Sequence, residues 1–296
     1  MGHIHTKTPA SQNKRRLVLV FGLTAVYLVA EVIGGFLTHS LALLADAGHM
    51  LTDVAGLGLA LLAITFAERP ATPERTYGYY RVEILAALTN AIVLIGISFF
   101  ILYEAYARFH NPPEVESRAM LLVAMIGLAV NIAGMFILRA GSAQSLNLKG
   151  AYFEVLSDML TSIGVIVAGV IMWTTGWYYA DPLISAGIGL FILPRTWALL
   201  REAVGVLLEG TPSDINLAAV REAISSIAGV AGVHDLHVWT LTSGVNAMSV
   251  HVVLAQGASH REVLTAVQQH VTSDFNIAHV TVQVEAQGWE ESETHL

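Results

Sequence analysis

Cysteine is absent from all 296 residues, so neither a disulfide framework nor a thiolate metal site is available. Any metal must be held by His, Asp, Glu, carbonyl oxygen or water. Charge is scarce: Asp, Glu, Lys and Arg make up 13% of the chain, against about 25% in an ordinary soluble domain. The formal charge of −8 leaves no basic footprint for DNA or RNA. No Walker sequence is present, so nothing argues for ATP as a driving force, and no HExxH pattern marks a metal hydrolase. What fills the space is apolar. Hydrophobic residues are 54% of the whole, which excludes a typical soluble enzyme and a disordered chain and points to an integral membrane protein with a soluble tail.

The apolar runs fall near 17–37, 41–66, 82–109, 118–139, 149–175 and 181–207. Each is long enough to meet the ~20 residues a helix needs to cross ~30 Å of hydrocarbon. Thr38-His39-Ser40, the stretch from Glu68 to Tyr80, Asn111-Pro112-Pro113, and Gly176 with Asp181-Pro182 supply the breaks. The first run leads straight into a second and has no small-residue cleavage site, so it reads as a span and not as a secretory signal. Lys7, Lys14, Arg15, Arg16, Arg69, Arg75, Arg81, Arg139 and Lys149 lie on one side, with only Arg108 and Arg118 near the other. That bias places both termini in the cytoplasm, in agreement with an even span count.

Composition changes near Glu209. Leu217, Val220, Ile224 and Ile227 form a helical stripe. Val233–Leu241 and Val245–Leu254 alternate as strands about the turn Thr242-Ser243-Gly244, residues 259–274 read as a second helix, and 279–285 as a third strand. The expected architecture is thus an α-helical membrane protein with six transmembrane helices and a small α+β tail in the order α-β-β-α-β. The expected domains are a flexible N-terminus over 1–16, a membrane domain over 17–208, a soluble domain over 209–287 and a flexible end over 288–296. So small a soluble unit is helped by pairing with a second copy.

A charge at mid-bilayer costs ~2.5–3.5 kcal/mol on insertion scales, so ionisable residues there mark function. The second span holds Asp46, His49 and Asp53, and the fifth holds Glu154 and Asp158. His49 and Asp53, like Glu154 and Asp158, are four residues apart and share one helix face. Two helices meeting along those faces bring together one imidazole and three carboxylates, a set that suits tetrahedral Zn(II) and also admits Co(II). Asp46 is read as a supporting residue that orients His49 or a water. Glu31 is a further intramembrane acid. Asn90 and Asn131 are read as interhelical hydrogen-bonding groups, and Gly34-Gly35, Gly56 with Gly58 and Gly187 with Gly189 as close-packing points. Arg81, Glu83 and Glu104, near span ends, are read as interfacial.

The segment Ser40-Leu-Ala-Leu-Leu-Ala-Asp46-Ala-Gly-His49-Met-Leu-Thr-Asp53 resembles the second-span signature of the cation diffusion facilitator family. Tyr77-Gly-Tyr-Tyr-Arg-Val-Glu83 is similar to its entry into the third span. Asn147-Leu-Lys-Gly-Ala-Tyr-Phe-Glu154-Val-Leu-Ser-Asp158 is similar to its fifth-span signature, and Gly232-Val-His234-Asp-Leu-His237-Val-Trp239 to the opening of its cytoplasmic domain. The likeness runs nearly the whole chain in order and is strongest to the bacterial cobalt–zinc–cadmium resistance branch.

The resemblance implies a homodimeric metal/proton antiporter of the bacterial inner membrane that exports divalent cations by alternating access, Zn(II) first, then Co(II) and Cd(II). It implies a secondary transporter and no enzyme. It carries a transport-site role onto His49, Asp53, Glu154 and Asp158. Many zinc-transporting relatives have His where Glu154 stands, and the carboxylate here gives the site a harder character. In the tail, it places a regulatory zinc site on His234, His251 and Glu285, with His260 at an additional ligand position. Gln283 stands where some relatives carry a ligand His.

Overall fold

The computed structural model describes residues 9–67, 72–142 and 146–288, and the side chains of Asp53 and Glu154 lie outside the described residues. The flexible ends expected from sequence fall outside them over 1–8 and 289–296. Six long helices come first: α1 (Pro9–Thr38), α2 (Leu41–Ala67), α3 (Tyr80–His110), α4 (Ser117–Ser142), α5 (Leu146–Thr175) and α6 (Ala180–Leu207). Helix α1 starts at Pro9, ahead of the expected boundary at 17. Proline is tolerated in a first turn, and no later proline or glycine interrupts the polar stretch that precedes the apolar run.

Five helical stretches are long and apolar enough to cross a membrane: Val18–Thr38, Tyr80–His110, Ser117–Arg139, Val155–Thr175 and Ala180–Leu207. Within α2 the described apolar stretch is the shorter Leu41–Thr52. Large apolar side chains line the outside of these helices, among them Val26, Phe36, Phe99, Phe136, Trp173 and Trp197. Such a surface is compatible with lipid and not with water. The chain is a multi-pass membrane protein followed by a small domain that carries a three-stranded sheet.

The chain divides into two compact units, residues 1–61 with 89–199 and residues 62–88 with 200–296. In the first, Leu41, Leu43, Ile101, Met120, Val165 and Met172 share a core. Glycines let helices approach: a Cβ at Gly34 would come 2.9 Å from Val123 Cγ2, and one at Gly35 2.7 Å from Leu44 Cδ2. Gly187, expected as a packing point, has open space at its Cβ position. Asn131 makes the expected interhelical bond, its amide donating to Ser162 Oγ of α5 at 3.3 Å.

The turn between α1 and α2 uses a left-handed His39 at φ 57°. Helix α2 is then pinned by Asp181 of α6, a residue the sequence presented only as part of a break. The Asp181 carboxylate accepts from Ser40 Oγ at 2.7 Å and from the backbone N–H groups of Leu41 and Ala42 at 2.9 and 3.1 Å. It satisfies donors that the first turn of a helix leaves unpaired. Arg108 closes the set, donating to Asp181 Oδ2 at 3.3 Å, Glu104 Oε1 at 3.0 Å and the His39 carbonyl at 2.6 Å. Glu104 therefore serves this buried cap and is not a bare interfacial acid.

In the second unit, helix α7 (Leu217–Ser225) is capped by Asn216, whose side chain accepts from the N–H groups of Ala218 and Ala219. Strands β1 (Val230–Thr242), β2 (Val245–Leu254) and β3 (Ile277–Glu285) form a sheet in that order, with helix α8 (His260–Phe275) between β2 and β3. β1 and β2 are antiparallel, and the α8 crossover makes β2 and β3 parallel. Val220, Ile224, Val238, Met248, Val250, Val263, Val267 and Ile277 form one buried core. Strand β1 starts three residues before its expected limit and β3 two before, since the alternation weakens at Val230–Gly232 and at Ile277 follows a left-handed Asn276. Arg81 and Glu83 are also tied into this unit. Arg81 pairs with Glu209 at 2.7 Å, and Glu83 accepts from Ser243 Oγ at 2.9 Å and from the Thr242 hydroxyl.

Candidate functional site

Helix α2 carries Asp46, His49 and Asp53, and α5 carries Glu154 and Asp158. The backbone is helical through all five, so each four-residue pair lies one turn apart on its helix. Across the interface, His49 Nε2 stands 3.3 Å from Asp158 Oδ1, and both residues are 2% exposed. That separation is longer than the 2.7–2.9 Å of a charge-assisted hydrogen bond. Neither atom has a hydrogen-bond partner among the described residues. A buried imidazole nitrogen and a buried carboxylate oxygen thus face each other without being locked together. Phe191 of α6 packs edge-on against the His49 ring, with centroids 6.0 Å apart. No Lys or Arg forms an ion pair with Asp158 among the described residues.

Asp46 was expected to orient His49 or a water. Among the described residues it makes no hydrogen bond to His49. Its Oδ2 accepts from Ser162 Oγ at 3.5 Å. Tyr27, which the sequence reading missed, donates its hydroxyl to Glu31 Oε1 at 3.1 Å or to the Val123 carbonyl at 3.2 Å. The available signal was the four-residue spacing of Tyr27 and Glu31, which puts them on one face of α1.

A second cluster lies on the sheet. His234 of β1 sits opposite His251 of β2, His251 opposite Gln283 of β3, and Val253 opposite Glu285. Alternation puts His251 and Val253, and likewise Gln283 and Glu285, on one face of the sheet. The ligand atoms of His234, His251 and Glu285 lie within 4.8 Å of one another. His234 Nε2 is 3.0 Å from Glu285 Oε2, and His251 Nδ1 is 3.0 Å from Glu285 Oε1. Gln283 donates its amide to Glu285 Oε1 at 2.9 Å. Burial pushes the Glu285 carboxyl up, but the Gln283 hydrogen bond, the His234 hydrogen bond and the charges of both histidines outweigh it and hold the group below the ordinary carboxylate value. Two imidazoles and a carboxylate are a donor set that Zn(II) accepts.

Asp235 was also missed. It sits at a left-handed φ of 45° in a register shift of β1, with Oδ2 3.8 Å from His234 Nδ1 and 4.0 Å from His251 Nδ1. Its place beside His234 in the sequence was the only hint. The structure does not bring His260 into this cluster; it is the exposed first residue of α8. His237, His270 and His279 are exposed as well.

Residues 17–208 match the cation efflux transmembrane domain, and residues 212–287 match the cytoplasmic domain of cation efflux proteins. The chain is 49% identical over 286 residues to the metal cation efflux system protein CzcD of Cupriavidus metallidurans, covering 96% of this chain and 90% of that one. It is 42% identical over 291 residues to the cadmium, cobalt and zinc/H(+)-K(+) antiporter of Bacillus subtilis, covering 97% and 93%. Over 302 residues it is 41% identical to the zinc transporter ZitB of Escherichia coli, covering 100% and 96%.

Proposed function

The chain belongs to the cation diffusion facilitator family of cation efflux proteins, in the branch of CzcD and ZitB, and on that premise we propose how it moves its cargo. It is an efflux transporter of divalent metal cations, of the class of Zn(II), Co(II) and Cd(II), and not an enzyme. Its cytoplasmic domain serves dimerisation. In our reading six helices over residues 17–208 cross the bacterial inner membrane, α2 included on its 27 residues. Both termini are cytoplasmic, residues 209–287 form a ferredoxin-like dimerisation and metal-binding domain, and 1–16 and 288–296 are tails.

In this reading Zn(II) enters from the cytoplasm and is held by His49, Asp53, Glu154 and Asp158. Three carboxylates around a divalent ion leave a net charge of about −1, far cheaper to bury than three bare carboxylates. Protons compete for the same groups: protonation of His49 or a carboxylate weakens metal binding and resets the carrier. Alternating access exposes the site to each side in turn. Inward movement of a proton gains ~2.3 kcal/mol per 100 mV, which drives export. The observation that supports this reading is the buried, unlocked His49–Asp158 pair. A binding site that must release its cargo is better served by ligands not committed to each other.

The test is Zn(II) uptake into sealed vesicles holding the purified protein, with and without a pH gradient, beside Asp158→Ala. Gradient-dependent flux lost in the variant is the expected result. Flux unaffected by the substitution would remove Asp158 from the site. Binding without flux would make the protein a metal sensor, and flux indifferent to the gradient a channel or uniporter. For the tail we propose a regulatory zinc at His234, His251 and Glu285 that favours one state of the dimer, which requires different affinities in the two states. Metal activation that survives removal of all three side chains would end that proposal.

A further inference from the structure

The Asp181 carboxylate ties together three helix ends: the first turn of α2 through Ser40, Leu41 and Ala42, the last turn of α3 through Arg108, and the first turn of α6, to which it belongs. Ser40 and Asp181 are 0% and 1% exposed, and the Arg108 side chain 15%. The set extends on both sides. Ser40 Oγ accepts in turn from the Leu43 N–H at 3.2 Å, and Ser185 donates its hydroxyl to the Asp181 carbonyl at 2.6 Å. The Glu116 N–H, just before α4, donates to the carbonyl of Thr38, the last residue of α1, at 3.1 Å. Polar bonds thus bind the ends of α1, α2, α3, α4 and α6.

We propose that the Asp181–Arg108 set is a latch that shuts the extracytoplasmic end of the transport path and parts when metal is released. This rests on the transport reading given above, in which both termini are cytoplasmic: the α1–α2, α3–α4 and α5–α6 connections then lie on the outer side. Between the latch and His49 runs a buried apolar core to which α2 gives Ala42 and Ala45, α3 gives Ile101 and Ala105, and α6 gives Ile188 and Ile192. Beyond it Phe191 of α6 closes on the His49 ring. A dry apolar constriction of this kind stops an ion. Helix α6 therefore covers α2 from Asp181 down to His49, and metal leaves outward along that face only when the two helices separate.

Apolar packing alone holds such an end shut only weakly, because lipid tails are as apolar as the side chains they would replace. Directional bonds add what that packing lacks, and they make the end bistable. Closed, the Asp181 carboxylate has four donors in Ser40, Leu41, Ala42 and Arg108. Arg108 has three acceptors in Glu104, the His39 carbonyl and Asp181, so neither charge is buried unpaired. Open, water reaches both groups and replaces the lost partners. An intermediate that has lost one partner before water arrives leaves a bare buried charge, so the set opens or closes as a whole. Asp181 and Arg108 are positioning residues in this device: they act by holding α2, and His49 with it, against α6.

The chain has no cysteine, so a single introduced thiol reports on this end without background. Ala42 is 0% exposed and its N–H bonds Asp181, so Ala42→Cys sits inside the latch and keeps that bond. The full chain carrying it is placed in right-side-out vesicles loaded with Zn(II). A membrane-impermeant maleimide is added outside, and labelling and Zn(II) efflux are followed together. Labelling is expected to be slow without Zn(II) and about tenfold faster during efflux. Adding Arg108→Gln, which takes the cation from Asp181, is expected to speed labelling about tenfold with no Zn(II) present, and Arg108→Lys to restore part of the metal dependence. Efflux with labelling that stays slow overturns the latch and leaves the transport reading standing. A labelling rate that Arg108→Gln leaves unchanged also overturns it and makes the set a permanent cap. Should Arg108→Gln fail to fold, the Zn(II) dependence of labelling decides alone. Should Ala42→Cys fail, Ala180→Cys, 2% exposed at the start of α6, is the second reporter. No Zn(II) efflux from the native chain overturns the transport reading, and the latch with it.

Discussion

The chain carries two clusters of imidazole and carboxylate, and they are built in opposite ways. On α2 and α5, His49 and Asp158 are 3% exposed at the side chain and stand 3.3 Å apart with no hydrogen bond between them. On the sheet, His234 and His251 have side chains 37% and 21% exposed, and each lies 3.0 Å from a Glu285 oxygen. The first cluster is dry and leaves its ligand atoms unsatisfied. The second is partly wet and is tied together through Glu285, which His234 and Gln283 hydrogen-bond in the absence of any ion. A buried ligand set with no internal pairing depends on what binds it, whereas a self-paired set binds metal only by giving up contacts it already has. That contrast is what the proposed roles, carriage for the membrane pair and sensing for the sheet cluster, call for.

The largest expected effect separates the two directly. Asp158→Ala should lower Zn(II) flux by at least ~100-fold, beyond the range seen when groups behind a ligand are lost. Equal losses from Asp158→Ala and His251→Ala, in vesicles at saturating metal, would erase the distinction. A smaller effect is expected where the membrane site is held from a distance. Asp181→Ala strips α2 of its cap and leaves Arg108 and two backbone N–H groups without their buried partner. Breaking such a buried pair costs about 3–5 kcal/mol. The measurement is thermal unfolding in detergent, with Asp181→Asn as the milder comparison. An unchanged midpoint in Asp181→Ala would show that α2 is held by its apolar face alone. The third effect is confined to the tail: His251→Ala should weaken its metal binding by ~10–100-fold, read by titration of the full chain in which Asp158 is also removed.

The two clusters also differ in how much of each was legible. Helical periodicity is a local property, so His49 with Asp53 and Glu154 with Asp158 declare a shared face from their spacing alone. Even so, the bond from Tyr27 to Glu31 and the packing of α1 on α2 were hidden, because which face of α1 meets α2 depends on close approaches such as Gly35 against Leu44. Asp181 was hidden for a similar reason: an Asp-Pro pair after glycine reads as a turn, and nothing local says that its carboxylate reaches a helix end 140 residues away. In the tail the strands and their order were plain from alternation. The cluster of His234, His251 and Glu285 came only through the family resemblance, because cross-strand neighbours depend on register. The shift in β1 between His234 and His237 that brings Asp235 toward both histidines leaves no mark in the periodicity.

Register also supplies the smallest and sharpest test. Gln283 lies opposite His251 in the parallel pair and shares the face of Glu285, yet it contributes to the cluster only by donating its amide to Glu285 Oε1. An amide there steadies the carboxylate but offers a poor ligand. Gln283→His would place a third imidazole beside His251 and remove one of the bonds that keeps Glu285 occupied. Both changes act in the same direction, and tail affinity for Zn(II) should rise about tenfold. Flux through the membrane site at saturating metal should stay where it was, since the substitution leaves α2 and α5 untouched. Titration of the full chain with Asp158 removed isolates the tail and reads the change. A tail affinity that falls in Gln283→His would mean that the Gln283–Glu285 bond holds the ligands in place for metal, so that the self-pairing of the sheet cluster organises the site and does not compete with it.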